Sequence, residues 1–169
     1  MIVVWLTVFA LLFMFSFVIL VGAPYVPTLR RQQKIALELL DLKPGQVLYD
    51  LGCGDGRLLV AAAKAGYRAV GYEINPALAA IAYLRTRRYG GRVKVVCGNF
   101  WRADISGADA VFVFLIDRYM KRLDHYLSGQ FKNKRVKVVS YAFKVPGRRP
   151  ANAVNALYLY NYGRLAHSR

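Results

Sequence analysis

The chain has 169 residues, which is enough for one domain but not for two. Its net charge is +16, from 25 Lys and Arg against 9 Asp and Glu, and this balance favours negative partners such as anionic lipid or nucleic acid. The two cysteines, Cys53 and Cys97, have neither the number nor the spacing of a disulfide scaffold or a metal centre, so we expect both to be reduced and no metal to be bound.

The first predicted element is an apolar segment at the N-terminus. Residues 2–21 contain no charged side chain, and a helix of this length, at about 1.5 Å per residue, matches a hydrocarbon core of about 30 Å. A cleaved signal peptide is the alternative, but the segment has no basic region before it and its apolar run is unusually long for one. We therefore predict a transmembrane anchor over residues 1–23 and a single domain over residues 24–169.

Basic residues predict how this anchor is oriented. Arg30, Arg31 and Lys34 follow the apolar segment and no basic residue precedes it, which places the domain on the cytoplasmic side of the membrane. The basic clusters at residues 85–92, 132–137 and 148–149 are then expected to face anionic headgroups, with nucleic acid as the alternative partner.

A stiff connector leads into the first helix of the domain. Two prolines restrict residues 24–28, and Thr28 is predicted to N-cap a helix over residues 29–41. A turn at residues 43–46 follows.

The next unit is predicted to be a strand, a tight loop and a helix. A short apolar run ends in Asp50, glycines follow at Gly52, Gly54 and Gly56, and an Ala/Leu-rich run comes next. Such glycines let the backbone turn sharply and approach a ligand, while the free N–H groups at the helix start attract an anion or carboxylate. The spacing excludes a dinucleotide motif, because Arg57 stands where its third glycine belongs, and it does not fit a P-loop.

A second apolar strand ends in an acid, Glu73, which comes 23 residues after Asp50. A carboxylate at this place can accept hydrogen bonds from both hydroxyls of an adenosine ribose, so Glu73 is the predicted ribose ligand. Asn75 and Pro76 form an N-cap and first-turn pair that predicts a helix over residues 77–89.

The remaining pattern alternates strands with a helix. Strands are predicted at residues 93–97, 108–116, 136–143 and 156–162, with a helix at 118–127 and a loop at 144–152. The whole pattern predicts an α/β fold with a doubly wound, mostly parallel sheet of about six strands and a ligand at their carboxyl ends.

The series Asp50-x-Gly52-x-Gly54-x-Gly56 resembles the first motif of class I S-adenosylmethionine-dependent methyltransferases. In that family the loop holds the methionine end of the cofactor, so the resemblance implies S-adenosyl-L-methionine as cofactor. Asn99 stands where the family often has an acid, but an amide can contact both the amino group and a ring nitrogen of adenine. Phe100 or Trp101 is expected to border the purine. The implied cofactor site comprises Asp50, Gly52, Cys53, Gly54, Gly56, Glu73, Ile74, Asn99 and Phe100.

A closer resemblance joins several segments. Residues 24–28, 49–57, 71–76 and 99–101 are together similar to the membrane-anchored protein-lysine methyltransferases of the mitochondrial ATP synthase c-subunit and adenine nucleotide translocase, and to short prokaryotic relatives. This implies methyl transfer to a lysine of a membrane protein near the bilayer surface. In a eukaryote it implies the matrix side of the mitochondrial inner membrane. The C-terminal part matches poorly, and this region normally helps to shape the substrate site.

Three further residues are candidates for the substrate side. Asp117, just past the fourth predicted strand, can orient or deprotonate the attacking amine, or simply open a helix. Tyr25 and Thr28 can close over the cofactor, and linker packing and capping are the alternative. Two other functions remain open. A methyltransferase for RNA or lipid would keep every cofactor residue, and a basic membrane-bound adaptor would keep the fold without catalysis.

Overall fold

The computed structural model describes residues 1–2, 4–7, 9 and 28–163. Most of the predicted anchor, and Tyr25 in the connector, lie outside these residues. Among the residues that the structure describes, no helix is long and apolar enough to cross a membrane. The anchor therefore stays a prediction.

The described part of the chain has seven strands: β1 Val47–Leu51, β2 Arg68–Glu73, β3 Val93–Cys97, β4 Ala110–Val113, β5 Val136–Tyr141, β6 Asn152–Val154 and β7 Leu157–Tyr162. They form one sheet in the order β3-β2-β1-β4-β5-β7-β6. The strands β1 to β5 are parallel, β7 pairs antiparallel with β5, and β6 pairs antiparallel with β7. The prediction of a mostly parallel sheet is confirmed, and the count is corrected from about six strands to seven.

Helices cover both faces of this sheet, as a doubly wound fold requires. The helices in the described part of the chain are α1 Arg30–Leu40, α2 Arg57–Lys64, α3 Pro76–Thr86 and α4 Met120–Gln130, with 3-10 turns at Arg87–Arg92, Phe100–Arg102 and Asp117–Tyr119. On one face, α1, α2 and α3 pack over an apolar cluster that includes Leu48 and Phe112. On the other face, α4 packs over a cluster that includes Val111 and Val138.

The strand absent from the prediction is β6, which lies between the predicted loop at residues 144–152 and the predicted strand at 156–162 and shares only Asn152 with that loop. Its three residues are all exposed and pair only with β7, so no buried face creates an apolar alternation. The turn that follows uses Asn155 and Ala156, with φ of 49° and 62°. Alanine seldom adopts this left-handed conformation, so the usual Asn-Gly signal of a two-residue hairpin is missing.

The start of α1 also differs from the prediction. The helix begins at Arg30 with Leu29 in the N-cap position, and no side chain caps it. Thr28 is therefore not the N-cap. Its backbone oxygen instead accepts a hydrogen bond of 2.6 Å from Nε2 of Gln33, because the chain enters the helix one residue later than predicted.

The sheet topology indicates which edge of the molecule binds a ligand. From β1 the chain continues to β2 and β3 on one side, whereas β4 lies against the other side of β1. In open α/β sheets, ligands bind outside the carboxyl ends of the strands at such a switch point. The loops after β1, β2 and β4 all meet there.

Candidate active site

The glycine loop joins β1 to α2 and bends over the end of β2. Gly52, Gly54 and Gly56 have φ of 97°, 54° and 79°, a region that favours glycine. The N–H groups of Gly52 and Cys53 both donate to the carbonyl oxygen of Tyr72, each at 2.9 Å. The alternate glycines are therefore required by the backbone path of the loop.

Glu73 holds this loop in place. Its carboxylate is 7% exposed, and its Oε2 accepts a 2.9 Å hydrogen bond from the N–H of Gly54. Its Oε1 accepts a 2.8 Å hydrogen bond from the N–H of Asn75, at the start of α3. A carboxylate can accept about four hydrogen bonds, so acceptor capacity remains for ribose hydroxyls. The sequence missed the role of Glu73 in positioning the loop, because that role depends on contacts 19 residues apart.

Asp50 lies beside Glu73 at the end of β1 and is 3% exposed. Burial raises the pKa of Asp50 from 3.8 to about 8, and the Glu73 carboxyl adds to the rise. Among the described residues, the structure records no hydrogen bond or ion pair to its side chain. A cation placed beside this carboxyl would restore its ionised form.

Gly71 and Cys53 pack the glycine loop against the sheet. Gly71, in β2, has no room for a side chain, because an added Cβ would lie 2.7 Å from Sγ of Cys53 and 2.5 Å from Cδ1 of Leu59. Burial, with the Asp50 and Glu73 carboxyls, raises the pKa of the Cys53 thiol. Cys53 is thus a packing residue of the loop, and the need for Gly71 was not visible in the sequence.

An ion-pair network around a buried carboxylate connects the loop to α3. Asp55 is 7% exposed and pairs with Arg57 at 2.8 Å and with Arg85 of α3. Nη1 of Arg85 also donates to the backbone oxygen of Asp55 at 2.7 Å. An added Cβ on Gly56 would come within 2.9 Å of the Cβ of Ala82, so the loop touches α3 directly. Arg85 therefore serves the loop and is not part of a free basic cluster.

The remaining residues predicted to bind the cofactor lie after β2 and β3. Ile74 is 41% exposed and follows Glu73 directly. Asn99 is exposed, and its Oδ1 accepts a 3.1 Å hydrogen bond from the N–H of Trp101. Phe100 is 9% exposed and belongs to the core under α4, with its ring centroid 4.5 Å from that of Trp101. Of Ile74 and Phe100, Ile74 is therefore the apolar side chain that is exposed at this edge.

The substrate side is more open. Asp117 is exposed and begins the 3-10 turn after β4. Because β4 pairs with β1 in parallel, Asp117 shares the carboxyl edge with the glycine loop. Thr28 lies at the entry to α1, and Tyr25 is outside the described residues.

The geometry fits S-adenosyl-L-methionine, whose ammonium and sulfonium groups are cationic. The buried Asp50 carboxyl offers a partner to the ammonium, and nothing lies within 4 Å of a Cβ added to Gly52, which leaves room beside the loop. Glu73 offers remaining acceptor capacity to the ribose. In the described residues there is no cluster of three or more His, Cys, Asp or Glu side chains that could hold a metal ion.

Several known proteins are similar to this chain in sequence and in fold. Residues 50–152 match the family model described as the ANTKMT methyltransferase domain. The chain is 35% identical over 152 residues to a protein-lysine N-methyltransferase of Saccharolobus islandicus, which covers 83% of this chain and 94% of that protein. It is 31% identical over 146 residues to the lysine N-methyltransferase of the ATP synthase c-subunit from Xenopus laevis, but spans only 64% of that longer protein.

A solved structure agrees in fold and cofactor. An RNA methyltransferase from Salinibacter ruber, in complex with S-adenosyl-L-homocysteine, superimposes with a TM-score of 0.76 at 32% identity. The match covers 85% of this chain and 98% of that one. These findings confirm the family resemblance, the enzyme class and the cofactor. The chain belongs to the ANTKMT methyltransferase domain family and is an S-adenosylmethionine-dependent methyltransferase.

Proposed function

We propose that this enzyme methylates the side-chain amine of a lysine on a membrane protein, close to the bilayer surface. The observation that carries the lysine assignment is the match to the Saccharolobus islandicus protein-lysine N-methyltransferase, which covers nearly the full length of that relative. The membrane assignment is supported by the uncharged apolar run at residues 2–21 and by the net charge of +16.

The residues of the site chiefly bind the cofactor and orient the two reactants. When bound, the cofactor would supply a sulfonium methyl group that passes to a neutral amine as the methyl–sulfur bond breaks and S-adenosylhomocysteine leaves. The glycine loop and Glu73 fix the position of the cofactor, so that proximity and alignment provide much of the acceleration. A lysine loses its proton readily when it is buried or lies beside positive charge, so the site needs no strong base.

Asp117 is proposed to orient the substrate. Its exposed carboxylate lies at the edge where the amine must arrive, and a surface ion pair of this kind is worth about 1 kcal/mol or less. Such a contact guides the lysine toward the glycine loop without carrying the chemistry.

The second candidate function is RNA methylation. It is favoured by the Salinibacter ruber neighbour, which is named an RNA methyltransferase, and by the basic surface of this chain. The two candidates share the cofactor site and differ in the acceptor, so only identification of the methylated molecule separates them.

The test is a labelling experiment on membranes from cells that lack this protein. Full-length enzyme and radiolabelled S-adenosylmethionine are added, and the label is followed into protein, RNA and lipid fractions. We expect methyl-lysine in the hydrolysate of a membrane protein and none with a Glu73→Ala enzyme. Label in RNA or lipid would contradict the proposal.

Tethering provides a second test of membrane proximity. Residues 22–28 span at most about 25 Å when fully extended, which would confine the site to a layer beside the bilayer. Deletion of residues 1–23 should then slow methylation in membranes while leaving cofactor affinity unchanged, because the tether raises effective concentration without any new contact. Equal rates for the two forms on the cellular target would argue against a membrane-bound substrate.

A further inference from the structure

The helix α3 exposes an apolar face. Ala77, Ala80, Ile81 and Leu84 recur at the spacing of one helical stripe, and all four are exposed. Ile81 is 44% exposed and Leu84 58% exposed. A surface helix of a soluble domain normally turns such a stripe toward the core, so this stripe calls for a partner.

The core already uses the opposite side of the same helix. Ala79, Ala82 and Thr86 are buried, and Ala82 contacts the glycine loop. By comparison, α4 has the same length but exposes Lys121, Arg122 and His125. The apolar stripe is therefore a property of α3 and not of the surface helices in general.

Arginines follow this stripe. Arg87, Arg88 and Arg92 lie in the 3-10 segment after α3, which has a non-helical residue at Gly90, and all three are exposed. Among the residues that the structure describes, no acid forms an ion pair with any of them. Four other members of the predicted basic clusters are paired: Arg85 with Asp55, Lys134 with Asp109, Lys137 with Asp41 and Arg148 with Asp124. In the same described residues, Lys132, Arg135 and Arg149 are exposed and form no ion pair.

We propose that the exposed face of α3, with Arg87, Arg88 and Arg92, docks on an anionic lipid bilayer. A bilayer offers acidic headgroups to the arginines and, just below them, an apolar boundary to Ile81 and Leu84. Nucleic acid would satisfy the arginines but leave the apolar stripe in water.

The entry to the described domain agrees with this orientation. The described domain starts at Thr28, beside α1, and α1 belongs to the same helix layer as α3, over one shared core cluster. The uncharged apolar run at residues 2–21 precedes it in the sequence. An anchor formed by that run would therefore join the domain at the helix layer that contains α3.

The inference deepens the proposed function, because it fixes which side of the enzyme faces the lipid. The glycine loop touches α3 at Ala82, so the cofactor site would lie about one helix diameter, 10–12 Å, from the headgroups. The substrate lysine would then belong to a segment that leaves the bilayer at a similar height.

The test measures contact with lipid directly, in full-length protein. In a Cys97→Ser background, which removes the exposed native thiol, a fluorescent probe is attached at Ala80→Cys on α3 or at His125→Cys on α4. The background protein without a new cysteine reports any labelling of Cys53. Each protein is reconstituted in vesicles of phosphatidylcholine and phosphatidylglycerol with brominated acyl chains, and near-UV circular dichroism confirms that each is folded.

We expect bromine to quench the probe at position 80 several-fold more than the probe at position 125. A variant with both Arg87→Glu and Arg88→Glu should reduce this difference, as should vesicles without phosphatidylglycerol, because each arginine near an anionic surface contributes about fivefold to membrane partition. Equal quenching at the two positions overturns the proposal. A position-80 probe that is shielded in detergent but not quenched by lipid also overturns it, since a second copy or residues 1–23 would then cover α3.

Neither cofactor nor substrate is present in this measurement, so it is independent of the proposed function. A probe that shows no lipid contact would not contradict lysine methylation, and an enzyme that methylates no lysine would not contradict the quenching result.

Discussion

The β1–β2 half and the β4–β7 half of the sheet use their polar side chains differently. In the first half, Glu73 and Asp55 are buried and bonded to the loop that they position. In the second half, Asp117 stands exposed at the carboxyl edge. In the same half, the half-buried Asp124 pairs with Arg148 and accepts a 2.8 Å hydrogen bond from the hydroxyl of Tyr162.

This difference shows which part of the site is assembled before a ligand arrives. The cofactor half is held by backbone N–H groups and buried carboxylates, so its shape does not wait for the cofactor. The half that we propose to bind the substrate leaves its acid, Asp117, in water. Substitutions in the two halves should therefore separate cofactor binding from substrate binding.

The largest effect is expected for Glu73→Ala. The change removes two acceptors from the loop and the charge that faces the ribose, and each charge-assisted hydrogen bond is worth about 1.5–3 kcal/mol. We expect cofactor affinity to fall by at least about 100-fold in calorimetry, a factor that corresponds to about 2.7 kcal/mol. Asp124→Asn is the control in the other half and should lower stability while leaving cofactor affinity intact. Equal affinity in folded Glu73→Ala would remove this residue from the cofactor site.

A smaller effect is expected for Gly56→Ala. The new Cβ meets Ala82 at 2.9 Å and must adopt φ of 79°, so strain and overpacking each cost about 1–3 kcal/mol. Cofactor affinity should fall about tenfold as the loop shifts, the equivalent of about 1.4 kcal/mol. Gly147→Ala is a matched control, because it has φ of 75° with nothing within 4 Å. It should lose stability in urea unfolding but bind the cofactor normally, and similar affinities for the two variants would argue against the loop as the cofactor cradle.

Asp50→Asn should separate stability from binding. In the folded, cofactor-free protein this carboxyl keeps its proton up to about pH 8, whereas in the unfolded chain it loses it near pH 4. The folded state therefore holds the extra proton, and the free energy of unfolding falls by about 1.4 kcal/mol per pH unit as pH rises through that window.

The Asp50→Asn substitution removes this loss of unfolding free energy, because asparagine does not titrate. At pH 8 the cofactor-free Asp50→Asn protein should melt at a higher temperature than the wild type, although it binds the cationic cofactor about tenfold more weakly, through the loss of a charge-assisted hydrogen bond. At pH 4 the advantage in melting temperature should disappear. A variant that is less stable at pH 8 would mean that Asp50 is ionised in the folded protein.

The smallest effect is expected for Asp117→Asn. An exposed ion pair contributes about 0.2–1 kcal/mol, so KM for the protein substrate should rise by a factor of about 1.4 to 5. Cofactor affinity and kcat should not change, in contrast to the variants of the cofactor half. A large fall in kcat that higher pH restores would instead identify Asp117 as a general base.

The cofactor half was predictable because its determinants are local. The alternate glycines, the acids that end β1 and β2, and the Asn75 cap follow from short-range spacing, and the structure places them together. The residues that fix the loop from a distance were missed. Gly71 looked like an ordinary strand residue, and Arg85 looked like part of a surface cluster, because their partners lie 18 and 30 positions away in sequence.

The C-terminal part was less predictable for a different reason. β6 has no buried side chain, and its hairpin turn uses an alanine at positive φ, so neither periodicity nor turn chemistry marks it. Phe100 or Trp101 was expected to border adenine; Phe100 belongs to the core cluster under α4, and the contact of either ring with adenine stays a prediction.

The packing of Cys53 has a consequence for oxidative chemistry. Only the thiolate form of cysteine reacts readily with peroxides and alkylating agents, and burial among carboxyls keeps this thiol protonated. Of the two cysteines, the exposed Cys97, at the end of β3, is the one that such reagents reach first. A cysteine thus stands inside the glycine loop without making the loop a target for oxidants, because the contact with Gly71 that shapes the loop also shields its sulfur.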